Sequence, residues 1–244
     1  MTEAKLTRTA IVDAAITLAD ADGLDAVSMR RIADRLEVGT MSLYRHVANK
    51  DELIAAMTDE IAARHPYPDP VGRGWTWRDR VRIAAEVDWQ LYQQHPWVLL
   101  TFAVPRYSFG PQGLTSLAWL VEGLRELDVT AREATTMGFT VWNYISGASL
   151  PVVGGALLAE KRTATDDTNG LRDLLEGTPS FPVPPALAEL EGAGVSDLTS
   201  EDLLFLGLEA LCDGFAARAG RRAADSPPLP MSTEGEAPKS PNRS

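Results

Sequence analysis

The sequence predicts an all-α protein in which a small N-terminal helical domain precedes a larger helical domain. Apolar residues recur at helical spacing along most of the 244-residue chain, and no segment shows the alternation expected of a half-buried strand. Capping residues precede several of these apolar segments, as expected where helices begin. Residues 66–74 contain three prolines and two glycines, which predicts a loop between the two domains.

The first two helices are predicted from apolar spacing and from their ends. Ile11, Ala15 and Leu18 follow the i, i+4, i+7 pattern, and Gly23 ends the first helix. Ser28 can cap the second helix with its hydroxyl. The apolar side of that helix consists of Met29, Ile32, Ala33 and Leu36.

A tight turn leads from the second helix into a very short third helix. Residues 37–39 end in Gly39, which suits a left-handed or closely packed backbone. Thr40 opens the third helix, and Leu43 and Val47 face inward. Two short helices joined by three residues are typical of a helix-turn-helix.

A fourth helix is predicted to begin after Asn49. Asn49 can cap it, and Glu52 stands three residues later, in the position of a capping box. Leu53, Ile54, Met57 and Ile61 form its apolar stripe, and Pro66 ends it after His65.

The second domain contains several longer helical patterns. Four of these patterns cover residues 77–94, a short piece at 97–104, residues 112–127 and residues 200–219. A further long helix is opened by a Thr130–Glu133 capping box and extends to about residue 160. Pro151 is expected to kink the long helix. Residues 162–199 are expected to form a long mobile connection. The predicted domains are therefore 1–65 and 75–222, followed by a disordered tail at 223–244.

Composition limits the class of protein. No apolar run is long enough to span a membrane, and the first ten residues lack the apolar stretch of a secretory signal. The single cysteine, Cys212, cannot form an internal disulfide, sits in an apolar helix and is expected to be an inert core thiol. We therefore expect a cytoplasmic protein with no membrane partner, no cofactor and no metal.

The charge distribution permits contact with nucleic acid despite a net charge of −11. The first 50 residues carry as many basic as acidic side chains, so the acidic excess belongs to the rest of the chain. Residues 28–50 are locally basic, with Arg30, Arg31, Arg35, Arg45 and Lys50 against Asp34 and Glu37. This pattern fits local phosphate contact, although solvated helix charges would look the same.

The side chains that face away from the third helix are suited to reading DNA. Hydroxyls can reach phosphates or bases, Met41 can touch a thymine methyl, and Tyr44 can bind a phosphate. Arg45 can bind guanine or the backbone, and Lys50 lies where a helix N-terminus also favours phosphate. The predicted DNA-contacting set is Ser28, Arg30, Thr40, Met41, Ser42, Tyr44, Arg45, His46 and Lys50.

These residues resemble the tetracycline repressor (TetR) family of transcription regulators. The matching positions are Thr7, Ile11, Ala14, Ala15, Gly23, residues 28–33, Val38 and the most specific string, Tyr44–Lys50. The resemblance is strong over residues 7–64 and weaker over 131–160 and 201–211. It looks closest to the subgroup that contains the tetracycline repressor itself.

The resemblance implies a homodimeric repressor that is released from DNA by a small-molecule effector of unknown identity. Two recognition helices would enter successive major grooves of a palindromic operator, with half-site centres about 34–36 Å apart. The resemblance also implies that Pro66 replaces the second of the histidines found in the drug-binding subgroup. Ala84 and Asp88 replace two further residues that bind the drug in that subgroup. Tetracycline and a drug-bound magnesium are therefore not expected.

The resemblance places the dimer interface on the last two helices. A helix that is apolar around most of its circumference must be buried on more than one side, by its own core or by a partner subunit. The predicted interface residues are Gly147, Gly154, Leu204, Leu208, Leu211 and Phe215.

Aromatic residues of the second domain are candidates for an effector cavity, although ordinary core packing is the simpler explanation for any single one of them. The predicted cavity residues are Asp88, Trp89, Tyr92, Phe102, Trp119, Phe139 and Trp142. Asp88 can bind a polar or cationic ligand if it is buried.

Three other functions are alternatives to a ligand-released repressor. An enzyme is disfavoured because the chain has no G-x-S-x-G, P-loop or H-E-x-x-H motif. An activator or structural DNA binder of the same fold cannot be separated from a repressor by sequence. A module that has lost DNA recognition is disfavoured by Arg30, Tyr44 and Lys50.

Overall fold

The computed structural model describes residues 6–102, 104–157, 185 and 198–225, and confirms the all-α class within them. Numbered in chain order, the helices are α1 (Arg8–Asp22), α2 (Met29–Arg35), α3 (Thr40–Leu43), α4 (Lys50–Arg64), α5 (Trp77–Gln94), α6 (Val98–Phe102), α7 (Pro105–Ser108), α8 (Pro111–Leu124), α9 (Ala131–Leu157) and α10 (Ser200–Asp225). In this part of the chain, none of the helices is both long and apolar enough to cross a lipid bilayer.

Side-chain caps fix the starts of the N-terminal helices where the sequence predicts them. The Ser28 hydroxyl accepts a hydrogen bond from the Arg31 amide at 3.3 Å, and the Asn49 side chain accepts one from the Glu52 amide at 2.8 Å. Glu52 differs slightly from the expected capping box, because its carboxylate accepts from the Ala48 amide, one residue before the cap. Each cap satisfies a backbone donor that the first helical turn leaves unpaired.

The turn between α2 and α3 corrects one prediction. The left-handed residue is Glu37, with φ of 55°, whereas Gly39 is extended, with φ of −70°. The Val38 amide donates to the Ala33 carbonyl, and the Glu37 amide donates to the Asp34 carbonyl. This pair of bonds is a Schellman motif, which requires the left-handed conformation directly after the α2 cap. Gly39 instead caps α3.

The second domain packs α5, α8, α9 and α10 together, with α9 in contact with each of the other three. Within the short piece predicted at 97–104, α6 ends at Phe102. A separate short helix, α7, follows from Pro105. The long helix runs through Pro151 as far as Leu157. The last helix extends through Asp225, beyond the predicted start of the tail, while the rest of the tail and most of the connection predicted at 162–199 lie outside the described residues.

Helix α4 joins the two predicted domains. It packs against α1 on one side and against α7 and α8 on the other, within a single continuous hydrophobic core. Polar contacts add to this joint. Asp51 accepts a hydrogen bond from Tyr107 at 2.5 Å and pairs with Arg106 at 3.1 Å. Asp20 of α1 accepts a hydrogen bond from the Trp97 indole at 2.7 Å. Helix α4 is therefore in direct contact with elements of both predicted domains.

Candidate nucleic-acid interface and effector cavity

Helix α3 is held by two buried anchors and exposes its other side. Leu43 and Val47 are buried in the core of the first domain. Met41 is 75% exposed and Tyr44 is 45% exposed, which is unusual for large apolar and aromatic side chains. Arg45 is also exposed, while Thr40, Ser42 and His46 are half-buried on the same segment. The periodicity predicted this orientation, because the two anchors fix the rotation of a four-residue helix.

The cations around α3 differ in how they are engaged. Arg45 and Lys50 are exposed, and neither has a carboxylate within ion-pair distance among the described residues. Arg30 is exposed and lies 3.9 Å from Asp34, at the outer limit of an ion pair. Arg31, by contrast, is held by Asp22 at 2.5 Å. Arg30, Arg45 and Lys50 of the predicted DNA-contacting set are therefore available to phosphates.

Ser28 has a structural role as well as a place in the predicted DNA-contacting set. Its hydroxyl is engaged in capping α2, although a hydroxyl can donate to a phosphate while it accepts from an amide. Lys50 is the first residue of α4, so its ammonium lies beside the positive end of that helix dipole. An exposed short helix, free cations and a helix N-terminus together form a surface suited to the backbone and major groove of DNA.

A second site lies behind this surface, where α4 meets the second domain. The cavity is lined by Thr58, Asp59, Ile61, Ala62, His65, Tyr67, Asp88, Leu91, Tyr92, Val98, Phe102, Ser108, Gly113, Ser116 and Trp142. Its void is about 40 Å³, which holds only about three water molecules. A larger ligand would therefore have to separate the surrounding helices, including α4.

Four of the seven predicted cavity residues line this void, namely Asp88, Tyr92, Phe102 and Trp142. Trp89, Trp119 and Phe139 do not. Trp89 is buried elsewhere on α5, and Phe139 packs behind Trp142 with its ring centroid 6.2 Å away. Trp119 donates a hydrogen bond from its indole to the Pro68 carbonyl at 2.9 Å, so it holds the interdomain loop. Phe139, through Trp142, and Trp119, whose ring centroid lies 5.1 Å from that of Tyr67, therefore support the cavity from outside.

The cavity contains a buried chain of hydrogen bonds. The Trp142 indole donates to the Tyr67 hydroxyl at 3.0 Å, and the Tyr67 hydroxyl donates to an Asp88 carboxylate oxygen at 2.9 Å. Burial raises the pKa of Asp88 to about 7, although the bond from Tyr67 acts in the opposite direction. Burial, together with the nearby Asp88 charge, raises the pKa of Tyr67 and of Tyr92 well above the usual value.

Tyr67 and His65 are cavity residues that the sequence reasoning missed. Tyr67 lies between two prolines in the interdomain loop, where no helical periodicity could reveal its direction. His65 is predicted to be a helix-end residue that also matches a histidine of the drug-binding subgroup, and it does end α4. Its ring also contacts the Ile61 carbonyl at 3.0 Å and the Gln94 amide oxygen at 3.3 Å.

The faces of α10 correct part of the predicted dimer interface. Leu204 and Leu208 are buried within the subunit, against its own core, so they have almost no surface left to bury against a partner. Leu211 and Phe215 are half-buried. The exposed apolar side chains of α10 are Leu203, at 38%, and Leu206, at 52%. The predicted stripe is therefore the inward one, and a neighbouring stripe faces outward.

The adjoining face of α9 remains open. Gly147 is exposed, Gly154 is half-exposed, and neither has an atom within 4 Å of the position where a Cβ would stand. Leu150, between them, is 48% exposed. A groove lined by residues of both helices, including Asn143, Pro151 and Leu203, follows the seam between α9 and α10. These small and apolar groups form one continuous surface with the outward side of α10.

The described residues contain no group of three or more side chains arranged to hold a metal ion. Cys212 is buried, as expected, and burial raises the pKa of its thiol to about 11. The thiol is therefore protonated at neutral pH and a poor nucleophile.

The short exposed helix, its anchors and its free cations define a helix-turn-helix DNA-binding protein. Comparison with known proteins gives the family. The family described as "Bacterial regulatory proteins, tetR family" matches residues 11–57, and "Tetracyclin repressor-like, C-terminal domain" matches residues 69–219. The chain therefore belongs to the TetR family and is a DNA-binding transcriptional regulator, which confirms the resemblance recognised in the sequence.

Similar proteins cover nearly the whole chain. The HTH-type transcriptional repressor DrrR1 of Streptomyces coeruleorubidus is 31% identical, over 91% of this chain and 82% of its own length. The tetracycline repressor protein class D of Escherichia coli is 28% identical, over 87% and 90%. The structure of ActR from Streptomyces coelicolor in complex with actinorhodin has a TM-score of 0.71 at 29% identity, covering 89% of this chain and all of that one.

Proposed function

We propose that this protein is a homodimeric repressor, without enzymatic activity, that binds a palindromic operator and releases it when a small molecule enters the cavity. The observation that carries the proposal is the position of α4. Its first residue, Lys50, belongs to the DNA-facing surface, and Thr58, Ile61 and His65 near its other end border the cavity. At 1.5 Å per residue, only about 16 Å of helix separates Lys50 from Ile61.

The relatives support the repressor and effector parts of this proposal. DrrR1 and the tetracycline repressors are named as repressors, and ActR has been crystallised with actinorhodin. In this chain the void is small, so a ligand that binds must push the cavity walls apart. Since α4 is one of those walls, expansion changes the placement of Lys50 and α3 on DNA. The two sites are thereby linked, typically by about 1–3 kcal/mol of coupling free energy.

The direct test is an anisotropy titration of the full-length protein against DNA from upstream of its own gene, followed by a screen for compounds that release the bound DNA. Saturable binding that resists non-specific competitor supports the proposal. Absence of specific binding both to this DNA and to fragments selected from the whole genome would refute it.

Replacing Lys50 by alanine is expected to weaken operator binding several-fold for every operator sequence, because the ammonium binds phosphate rather than a base edge. The slope of log K against log salt should become less steep, by about one unit for the lysine lost from each subunit. Binding is measured over a salt series, with Arg132→Ala as a control that removes an exposed cation from the second domain. An unchanged slope would exclude the phosphate contact.

Tyr107→Phe is expected to weaken the link between effector and DNA, because it removes the hydroxyl that holds Asp51 beside Lys50. Operator affinity without effector should change by less than about twofold, whereas the loss of affinity caused by a saturating effector should shrink about threefold. Compounds from the release screen provide the effector.

The matched control for this prediction is a double-mutant cycle with Asp51→Asn. If Tyr107 acts through Asp51, adding Tyr107→Phe to Asp51→Asn should have no further effect. Additive effects of the two substitutions would mean that the contact does not transmit the effector signal.

A further inference from the structure

Asp88 is a buried acid that has no cationic partner among the described residues. It is 9% exposed, and the Tyr67 hydroxyl donates a hydrogen bond to it at 2.9 Å. None of the described residues that line the cavity is an arginine or lysine. His65 is the only basic side chain in this described lining, and its two ring nitrogens already face the Ile61 carbonyl and the Gln94 side chain. A buried carboxylate in such surroundings is stable only when it is protonated or when a cation is supplied from outside.

The hydrogen bond from Tyr67 favours the charged form of the Asp88 carboxyl group. The Trp142 indole donates to the Tyr67 hydroxyl, and this hydroxyl donates to Asp88. Tyr67 therefore directs its proton toward the carboxylate, and Trp142 holds Tyr67 in place. Burial nevertheless raises the pKa of Asp88 to about 7, so this arrangement only partly offsets the loss of solvent. A cationic group beside Asp88 would stabilise the charged form further.

The remaining walls of the cavity suit an aromatic body. The Tyr92 and Phe102 ring centroids lie 5.8 Å apart at an interplanar angle of 88°, and those of Phe102 and Trp142 lie 6.4 Å apart. Ring faces and edges of this kind pack against planar apolar groups, and they also attract cations. A ligand that pushes these rings apart would pack its aromatic body against them, in a cavity that Asp88 also lines.

We propose that the effector of this protein is an aromatic amine whose protonated nitrogen binds the Asp88 carboxylate while its ring system packs against Tyr92, Phe102 and Trp142. The inference rests on the proposed function, since it assigns the chemical class of the effector to the same cavity. Tyr67 positions the carboxylate, and Asp88 determines specificity by favouring ammonium over neutral groups.

The test uses two probes that differ only in the group offered to Asp88, 2-naphthylmethylamine and 2-naphthylmethanol. Their affinities for the full-length protein are measured by titration calorimetry at neutral pH, without DNA. The amine is expected to bind at least about tenfold more tightly than the alcohol. In Asp88→Asn this preference should disappear while the affinity for the alcohol stays within about twofold.

Glu122→Gln is the matched control for the overall negative charge of the protein. Glu122 is exposed on α8 and does not line the cavity, so its substitution removes one charge and leaves Asp88 in place. It should preserve the preference for the amine. Thermal melts of each variant establish that the fold is retained.

Three results would overturn the proposal: equal affinities for the two probes, no binding of either probe, or a preference for the amine that survives in Asp88→Asn. None of them touches DNA binding, which is measured separately. If the unaltered protein binds its operator and a neutral compound releases it, the amine specificity fails while the proposed repressor function stands. If no specific operator is found, the repressor function fails whatever the probes do.

Discussion

Leu206→Glu is expected to convert the proposed dimer into monomers and to reduce operator affinity about a hundredfold or more. Leu206 is 52% exposed on the outward side of α10, beside Leu203 and the open glycine face of α9. In a two-fold symmetric interface each substitution occurs twice, so two carboxylates would be brought into one apolar contact. The loss of DNA affinity follows because a monomer forfeits the high effective concentration of the second half-site.

Molar mass from light scattering and operator binding by anisotropy measure the two effects. Leu100→Glu is the matched control, because Leu100 is also exposed, at 45%, but lies on α6, away from the seam between α9 and α10. It should leave a dimer with unaltered DNA binding. A Leu206→Glu protein that remains a dimer would place the interface elsewhere.

The inward stripe of α10 predicts the opposite behaviour. Leu208 is 3% exposed, so Leu208→Ala should lower the free energy of unfolding by about 2–5 kcal/mol and leave the assembly face intact. A charged residue at this position would unfold the subunit, and the absence of dimer would then say nothing about the interface. Only substitutions of the outward side chains can therefore test dimer assembly without also disturbing the folding of the subunit.

Asp88→Asn is expected to stabilise the protein, and to do so more strongly at alkaline than at acid pH. The pKa of Asp88 is about 7 in the folded protein, above the ordinary value of 3.8. The folded state therefore retains a proton that the unfolded chain releases, and stability falls as the pH rises between these two values. Asparagine removes this pH-dependent loss, because its side chain does not ionise.

The gain in the free energy of unfolding should be larger at about pH 8 than at about pH 5 by roughly 2–3 kcal/mol. Denaturant titrations at one fixed protein concentration measure it, because the stability of a dimer depends on concentration. Asp25→Asn, at an exposed aspartate, should show no comparable change with pH. An equal effect of Asp88→Asn at both pH values would mean that Asp88 does not titrate in this range.

The two predictions concern different requirements of the same protein. The outward face of α10 remains apolar because a partner is expected to cover it. The Asp88 site retains an unfavourable buried charge because a ligand is expected to neutralise it. Both features lower the stability of the isolated subunit. The expected partner subunit explains the first, and the expected ligand explains the second.

The sequence by itself determined what depends on local chemistry. Ser28 and Asn49 were recognised as caps because a cap bonds to an amide only a few residues away. Leu43 and Val47 were recognised as anchors because helical spacing defines one apolar side, and that side in turn defined the exposed residues of α3. All residues of the predicted DNA-contacting set lie within 23 consecutive residues, 28–50. Their exposed face could therefore be predicted from the sequence.

Tertiary structure decided what depends on residues that are distant in the chain. Periodicity showed that α10 is apolar on more than one side, but only packing against α5 and α9 separated the inward Leu208 from the outward Leu206. The cavity combines α4, the interdomain loop, α5, α6, α7, α8 and α9, so no local sequence pattern could show that Tyr67 lines it and Trp119 does not. The significance of Asp88 depended on burial, and burial is a property of the assembled fold.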